Sequence, residues 1–135
     1  MSKGLYLVDT NVLIDAFRGD PVALAFFARV NKSQITVSIV TYLEFACGEA
    51  RIGRNAKEAR TLVDSFISFK IEPVSSAAGK LAVREAIRLG WGQDRLEDLL
   101  IAASAVQLDR VVVTRNISDF KPFSGCKVVT PENAT

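Results

Sequence analysis

The chain has 135 residues, 49% of them hydrophobic and 24% charged, which predicts a single domain over residues 1–135 with its own core and no disordered segment. Seventeen Lys and Arg against fifteen Asp and Glu leave a formal net charge of +2, too small to predict attraction to nucleic acid from the total charge. The chain contains no histidine, which excludes Ser-His-Asp and Cys-His catalysis and removes a common zinc ligand.

Strands and helices are predicted to alternate along the chain. An apolar run at 5–8 ends on Asp9, which predicts a short buried strand that leads into a helix. In chain order, the predicted elements are a strand at 5–8, helices at 11–17 and 21–30, a strand at 35–40, helices at 41–52 and 55–69, a strand at 71–74, helices at 76–89 and 94–109, and strands at 110–113 and 126–129. This alternation is typical of the α/β class, in which helices cover both faces of a parallel sheet.

Three carboxylates on three different elements stand out as candidate functional groups. Asp9 ends the first strand, at the edge where functional groups gather in parallel sheets. Glu44 lies in the helix after the second strand, and a helical side chain there points back toward the strand's carboxyl end. Asp98 lies in the first turn of the most apolar helix. If the first strand neighbours the last strand–helix–strand unit, the three side chains converge on one pocket.

Converging carboxylates predict a bound divalent cation. Without a counter-charge, the three acids would repel one another and raise each other's pKa values. Ligation by oxygen alone favours Mg²⁺ or Mn²⁺ over softer metals. Such an ion generates a nucleophile from water and stabilises charge on a phosphoryl oxygen. Metal-assisted phosphodiester hydrolysis is therefore the reaction class that these residues favour.

Each of these acids also has a purely structural explanation. Asp9 can cap the following helix, and Asp98 can interact favourably with the dipole of its own helix. Glu44 can occupy an exposed helix position. For Asp94 and Glu97, which precede the same apolar helix, we favour a capping or solvated role. Taken together, the structural explanations are weaker than each is alone, because all three acids would have to take converging positions by coincidence.

The segment "VVVTRNISDF" and the turn after the first strand supply further candidates. Asn116, just past a strand, can coordinate a metal or a water through its amide, and Thr114 can position a water or a carboxylate. Asp119 is an alternative acidic ligand, and a role in the loop or turn stays open for Asn116 and Asp119. Asn11 is a supporting residue that shapes the turn after the first strand.

Four motifs in this order resemble those of PIN-domain ribonucleases, and especially the VapC toxin subfamily of bacterial type II toxin–antitoxin modules. They are "LVDTNVLID", the glutamate of "TYLEFACG", "DLLIAASA" and "VVTRNISDF". The resemblance extends over nearly the whole chain. It implies a three-layer α/β/α PIN-like domain with a central parallel sheet of four to five short strands.

The resemblance also implies which residues form the site. The family's first three acids map onto Asp9, Glu44 and Asp98. The fourth position, an aspartate in many members, is Asn116 here, which leaves the fourth ligand open between Asn116 and Asp119 as a supplement.

The activity and partners that the resemblance implies are specific. They are Mg²⁺- or Mn²⁺-dependent endonucleolytic cleavage of structured RNA such as tRNA, assembly into homodimers, and inhibition by a cognate VapB-type antitoxin. For RNA phosphate contacts, Arg115 beside the proposed site is the better candidate. The basic run at 51–57 is more typical of a solvated helix face.

Three rival functions are weighed against this one. A haloacid-dehalogenase-type phosphatase also has a nucleophilic aspartate after a strand, but it carries a second aspartate where this chain has Asn11. A receiver domain carries an acidic pair at the end of its first strand, whereas "VDTN" has one acid. A catalytically weak PIN-like interaction module would keep the pocket and bind only a protein partner.

The remaining expectations concern location and thiols. Every apolar segment is broken before the ~20 residues that span a bilayer, and residues 1–3 are followed by only four apolar-type residues before Asp9, so we expect no membrane association and a cytoplasmic protein. Cys47 and Cys126 lie far apart in the sequence and are expected to be free thiols.

Overall fold

The computed structural model describes residues 4–135. The expectation of no membrane association rested in part on residues 1–3, which lie outside the described residues. The strands are β1 (Tyr6–Val8), β2 (Ile35–Ser38), β3 (Lys70–Glu72), β4 (Val111–Val113) and β5 (Lys127–Val129). The helices are α1 (Thr10–Phe17), α2 (Pro21–Arg29), α3 (Ile39–Cys47), α4 (Ala56–Phe66), α5 (Ser76–Leu89), α6 (Leu96–Leu108) and α7 (Ile117–Phe120). Short 3₁₀ turns occupy Lys32–Gln34, Glu49–Arg51 and Gln93–Arg95.

The five strands form one parallel sheet in the order β3-β2-β1-β4-β5. β1 lies at the centre and pairs with β2 on one side and with β4 on the other. The chain order therefore reverses between β1 and β4, and the carboxyl ends of two such strands open a crevice in which α/β proteins bind ligands. Asp9 follows β1 and Thr114 follows β4, so both residues border this crevice.

Helices cover both faces of the sheet, as predicted. Because side chains alternate along a strand, Tyr6 and Val8 pack with α1–α4 on one face, whereas Leu7 packs with α5–α7 on the other. The first face is rich in aromatic contacts, among them the stacked rings of Phe45 and Phe66, 5.5 Å apart. The three-layer α/β/α architecture with a parallel sheet is confirmed.

The predicted boundary between the second strand and its helix is wrong by a few residues. We predicted a strand to residue 40, but β2 ends at Ser38, whose hydroxyl accepts a hydrogen bond from the Val40 N–H at 3.1 Å and caps α3. The β-branched pair Ile39–Val40 is thus helical in spite of its strand propensity. The helix also ends early, at Cys47, and a 3₁₀ turn replaces its predicted last turn.

The most apolar helix, α6, is buried along most of its length, as predicted. Leu99 and Ile101 are buried, and so are all residues of 101–105. α6 packs against α5, whose Ser75 cap and Gly90 terminus agree with the predicted ends. Gly90 has a φ of 69°, a conformation that glycine adopts without steric cost. This rigid support fixes the first turn of α6, which carries Asp98.

Two further expectations can be compared with the structure. Both Cys47 and Cys126 are free. Within residues 4–135, none of the helices is long and apolar enough to cross a bilayer.

Candidate active site

Asp9 lies at the centre of the candidate site. It follows the fully buried Val8, and its backbone N–H donates to the Val113 carbonyl at 3.0 Å, which holds it beside the end of β4. Asp9 occupies the N-cap position of α1, yet its side chain makes no capping hydrogen bond. The side chain is instead buried, with 5% of the residue exposed. The capping explanation for Asp9 therefore does not account for its carboxylate.

Thr114 holds the carboxylate of Asp9 in place. Its hydroxyl donates to Asp9 Oδ2 at 2.9 Å and accepts the backbone N–H of Asn116 at 3.0 Å. Thr114 itself is fully buried, and its backbone N–H donates to Val129 on β5. Three strands of the sheet thus contribute to the direction of one carboxylate.

Glu44 and Glu97 form a second part of the site. Glu97 lies next to Glu44 and acts on the ionisation of its carboxyl group. Thr10 donates its hydroxyl to Glu97 Oε1 at 2.7 Å, and its single proton leaves Thr41 as the donor in the 2.9 Å contact between the two threonines. Glu97, which we expected to be a solvated or capping acid, is instead hydrogen-bonded to Thr10 at the start of α1.

Asp98, Arg95 and Asp119 form the third part. Asp98 Oδ2 accepts from Arg95 Nε at 3.0 Å. The same guanidinium donates through Nη2 to the Asp119 carbonyl at 2.9 Å and lies 3.8 Å from its Oδ1. Arg95 also stacks on Trp91, with its guanidinium carbon 3.8 Å from the ring centroid. A basic group therefore lies beside the acids, and the sequence pattern does not indicate this contact.

The pKa values show that the acids share one electrostatic environment. Burial, together with the negative charges of Asp98 and Glu97, raises the pKa of Asp9 to about 6 against the opposing hydrogen bond from Thr114. The hydrogen bond with Glu97 raises the pKa of Glu44 to about 7, with burial and the charges of Glu97 and Asp9 acting in the same direction. Burial also raises the pKa of Asp98, in spite of the hydrogen bond and charge of Arg95. The pocket thus holds more negative charge than it neutralises.

The donor set fits a hard divalent cation in its chemistry. The charge of Asp98 acts on Asp9, and the charge of Asp9 acts on Glu44, so the three carboxylates lie within electrostatic range of one another through Asp9, and hard cations prefer such oxygens. In the part of the chain that the structure describes, no three acidic or thiol side chains are arranged to hold an ion as they stand. The pKa of Glu44 is raised in that arrangement, and a cation beside the carboxylates would favour their ionised forms.

The other predicted residues take different places. Asn11 is exposed in the first turn of α1, and Asn116 is exposed between β4 and α7. Asp119 is drawn toward Arg95. Arg115 pairs with Asp15 and with Asp20 of the α1–α2 region, so its guanidinium is engaged away from the acids.

Replacing Thr114 with valine is expected to raise the pKa of Asp9 above 6, because the hydroxyl stabilises the ionised carboxylate. The change also leaves the Asn116 N–H without its acceptor, and it should cost about 1–3 kcal/mol of the free energy of unfolding. NMR titration of the Asp9 carboxyl carbon measures the first effect. Thr61→Val, at an exposed helix position, is the control. An unchanged titration of Asp9 would contradict the assigned role of Thr114.

Comparisons with known proteins place the chain in a family. The PIN domain family model matches residues 6–121. Ribonuclease VapC19 of Mycobacterium tuberculosis is 30% identical over 121 residues, which cover 87% of this chain and 93% of the relative. The expected family is therefore confirmed by sequence as well as by fold.

Solved structures show the same fold. A toxin-antitoxin complex from Klebsiella pneumoniae superimposes with a TM-score of 0.72 at 28% identity, over 93% of this chain and 97% of that one. The DNA-bound VapBC of Salmonella typhimurium superimposes with a TM-score of 0.78 at 24% identity, over 95% and 98% of the two chains. With residues 6–121 matched and the relative aligned over most of its length, the chain belongs to the PIN-domain family, in its VapC ribonuclease branch.

Proposed function

We propose that this protein is a toxin-type endoribonuclease that cleaves structured RNA, with tRNA as the expected target, in the cytoplasm. The observation that carries the proposal is that the charge of Asp98 acts on Asp9, and that of Asp9 on Glu44, beside the switch point between β1 and β4. The ribonuclease name of the VapC19 relative supports the choice of RNA as the substrate class.

PIN-domain ribonucleases generally use divalent metal ions, and we propose Mg²⁺ or Mn²⁺ here because the donors are all oxygens. Asp9, Glu44 and Asp98 would hold the ion, with Asn116 as a neutral fourth ligand and Asp119 as a supplement. A divalent ion supplies an activated water at neutral pH and stabilises charge on the phosphoryl group.

The residues of the chain contribute orientation and ionisable groups. Thr114 holds the Asp9 carboxylate in one direction. Glu44 has a pKa of about 7 in the metal-free protein, so a divalent ion held by its carboxylate would displace a proton from it. The hydroxyl of Thr10 donates to Glu97 and holds that carboxylate at the start of α1.

We further propose a cognate VapB-type antitoxin as the neutralising partner, and a homodimer as the assembly. Support for the partner comes from the solved relatives, which are a toxin-antitoxin complex and VapBC complexes, some of them bound to DNA. Co-expression with the protein encoded beside it, followed by size-exclusion chromatography, measures both the complex and the number of copies.

Cleavage of a total tRNA pool tests the proposed activity. Purified protein should cut the pool in Mg²⁺ or Mn²⁺ and should be inactive in EDTA. Single-stranded DNA and a phosphate monoester are the control substrates. A folded protein that binds a partner but cuts no RNA with either ion would favour an inert interaction module, and hydrolysis of the monoester alone would favour a phosphatase.

Replacing Asn116 with aspartate is expected to tighten the binding of Mg²⁺ about tenfold, because the change adds a charged oxygen ligand next to the pocket. Isothermal titration calorimetry measures the dissociation constant. Asp119→Asn is the companion variant. If affinity responds to Asp119→Asn and not to Asn116→Asp, the fourth ligand is Asp119.

A further inference from the structure

We infer that Arg95, stacked on Trp91, is the side chain that contacts the phosphate of the RNA at this site, in place of Arg115. This inference rests on the proposed ribonuclease function and assigns the contact that would bring an anionic substrate to an acidic pocket. It replaces the expectation, drawn from the sequence, that Arg115 makes this contact.

The position of Arg95 is the first argument. Its Nε lies 3.0 Å from Asp98 Oδ2, so the guanidinium borders the carboxylates directly. A phosphodiester that reaches these acids meets strong repulsion, and a cation at the same place offsets it. A guanidinium offers five N–H donors, and the contacts with Asp98 and Asp119 use Nε and Nη2. The donors of Nη1 take part in neither contact.

The rigidity of Arg95 is the second argument. The guanidinium lies 3.8 Å from the centroid of the Trp91 ring, and the side chain is 27% exposed. Stacking on an aromatic ring holds the planar group in one orientation, so little side-chain entropy is lost when it binds phosphate. An arginine held in this way is preorganised for a phosphate and remains accessible to it.

The contacts of Arg115 are the third argument. Its Nε lies 3.5 Å from Asp15 Oδ2, and its Nη2 is hydrogen-bonded to Asp20, which also caps α2 through the Ala23 N–H. Arg95 is also paired with two acids, but one of them is Asp98 of the site, whereas the partners of Arg115 tie it to α1 and α2. Its role is to connect the end of β4 with these helices.

RNA binding in EDTA, where no cleavage is expected, separates the two arginines. Arg95→Gln should weaken binding of a total tRNA pool about tenfold. It should also reduce the slope of log affinity against log salt by roughly 0.7–0.9, the value for one lost phosphate contact. Arg115→Gln removes the same charge and should leave the slope unchanged. Arg84→Gln, at an exposed position on α5, controls for the change in net charge.

Trp91 provides a second readout, since it is the only tryptophan in the chain. RNA should change its fluorescence in the wild type and in Arg115→Gln, and this change should be lost in Arg95→Gln. Arg95→Lys keeps the positive charge but replaces the planar guanidinium with an ammonium group. It should therefore retain the slope of log affinity against log salt and bind RNA more weakly. Circular dichroism melts show whether each variant is folded.

The outcomes distinguish this inference from the proposed function. If the wild type cleaves RNA but Arg95→Gln binds with unchanged affinity and slope, the inference fails and the ribonuclease function stands. Increased cleavage by Arg95→Gln with unchanged binding would make Arg95 an inhibitory counter-ion of Asp98 and would also overturn the inference. Failure of the folded wild type to bind or cut any RNA would overturn both.

Discussion

Replacing Asp9 with asparagine is expected to lower RNA cleavage by more than about 100-fold while the metal-free protein becomes no less stable at pH 7. The carboxylate of Asp9 is buried, and its pKa of about 6 means that folding at pH 7 forces a charge into an unfavourable place. Asparagine removes that charge and can still accept the hydrogen bond from Thr114. Its new amide donors need partners, which offsets part of the gain, so we expect about 0–2 kcal/mol of added stability.

Urea unfolding in EDTA and cleavage of the tRNA pool in Mg²⁺ measure the two effects on the same preparation. Asp64→Asn, at an exposed position on α4, is the control and should change neither. Lost activity together with retained stability is expected of a residue that serves function and lowers the free energy of unfolding. Retained cleavage would remove Asp9 from the site, whereas a large loss of stability would show that its carboxylate is a structural group.

The metal-free protein is expected to lose stability as the pH rises from about 4 to about 7. Asp9 has a folded-state pKa of about 6 against the ordinary aspartate value of 3.8, so the folded state binds more protons than the unfolded state between these values. Its contribution is fully present below pH 3.8 and is lost as the pH rises through 6. The shift of about two units corresponds to roughly 3 kcal/mol. Glu44 and Asp98, whose pKa values are also raised, act in the same direction.

Thermal melts between pH 4 and pH 8, with EDTA and with Mg²⁺, test this expectation. Added Mg²⁺ should restore stability at pH 8 and have little effect at pH 4, because protons and the cation compete for the same carboxylates. Glu85, bound by Arg88 and by the Ser124 N–H, has a pKa of about 2, so its stabilisation is present above 4.5 and is lost only at lower pH. A stability that rises steadily from pH 4 to pH 8 in EDTA would show that the acids are not destabilising.

Most of the fold could be predicted because its signals are local. The capping serine and terminal glycine of α5 mark its ends in the sequence, and the apolar surface of α6 indicates its burial. The boundary between β2 and α3 could not be predicted, because Ile39 and Val40 favour strands and only the capping hydrogen bond of Ser38 makes them helical. The short helix α7 was not predicted either, since four residues carry no measurable period.

The site was only partly predictable for a related reason. Asp9 and Asp98 stand out because each interrupts an apolar pattern. Glu97 sits beside Asp98 in a helical first turn, where an acid is expected for the helix dipole, and its contact with Thr10 joins residues 87 positions apart. The contacts of Arg95 with Asp98 and Trp91 span only a few residues. They form at the turn that leads into α6, and the sequence pattern does not specify the geometry of that turn.

The rate of tRNA cleavage in Mg²⁺ by the wild type, Asp98→Asn and Asp94→Asn tests the central claim most directly. Asp94 is an exposed acid in the turn that precedes α6, and it makes the matched control for Asp98. We expect the wild type and Asp94→Asn to cleave at equal rates and Asp98→Asn to be slower by more than about 100-fold. Equal cleavage by all three proteins, or none by the folded wild type, would contradict the assignment of this pocket as a metal-dependent ribonuclease site.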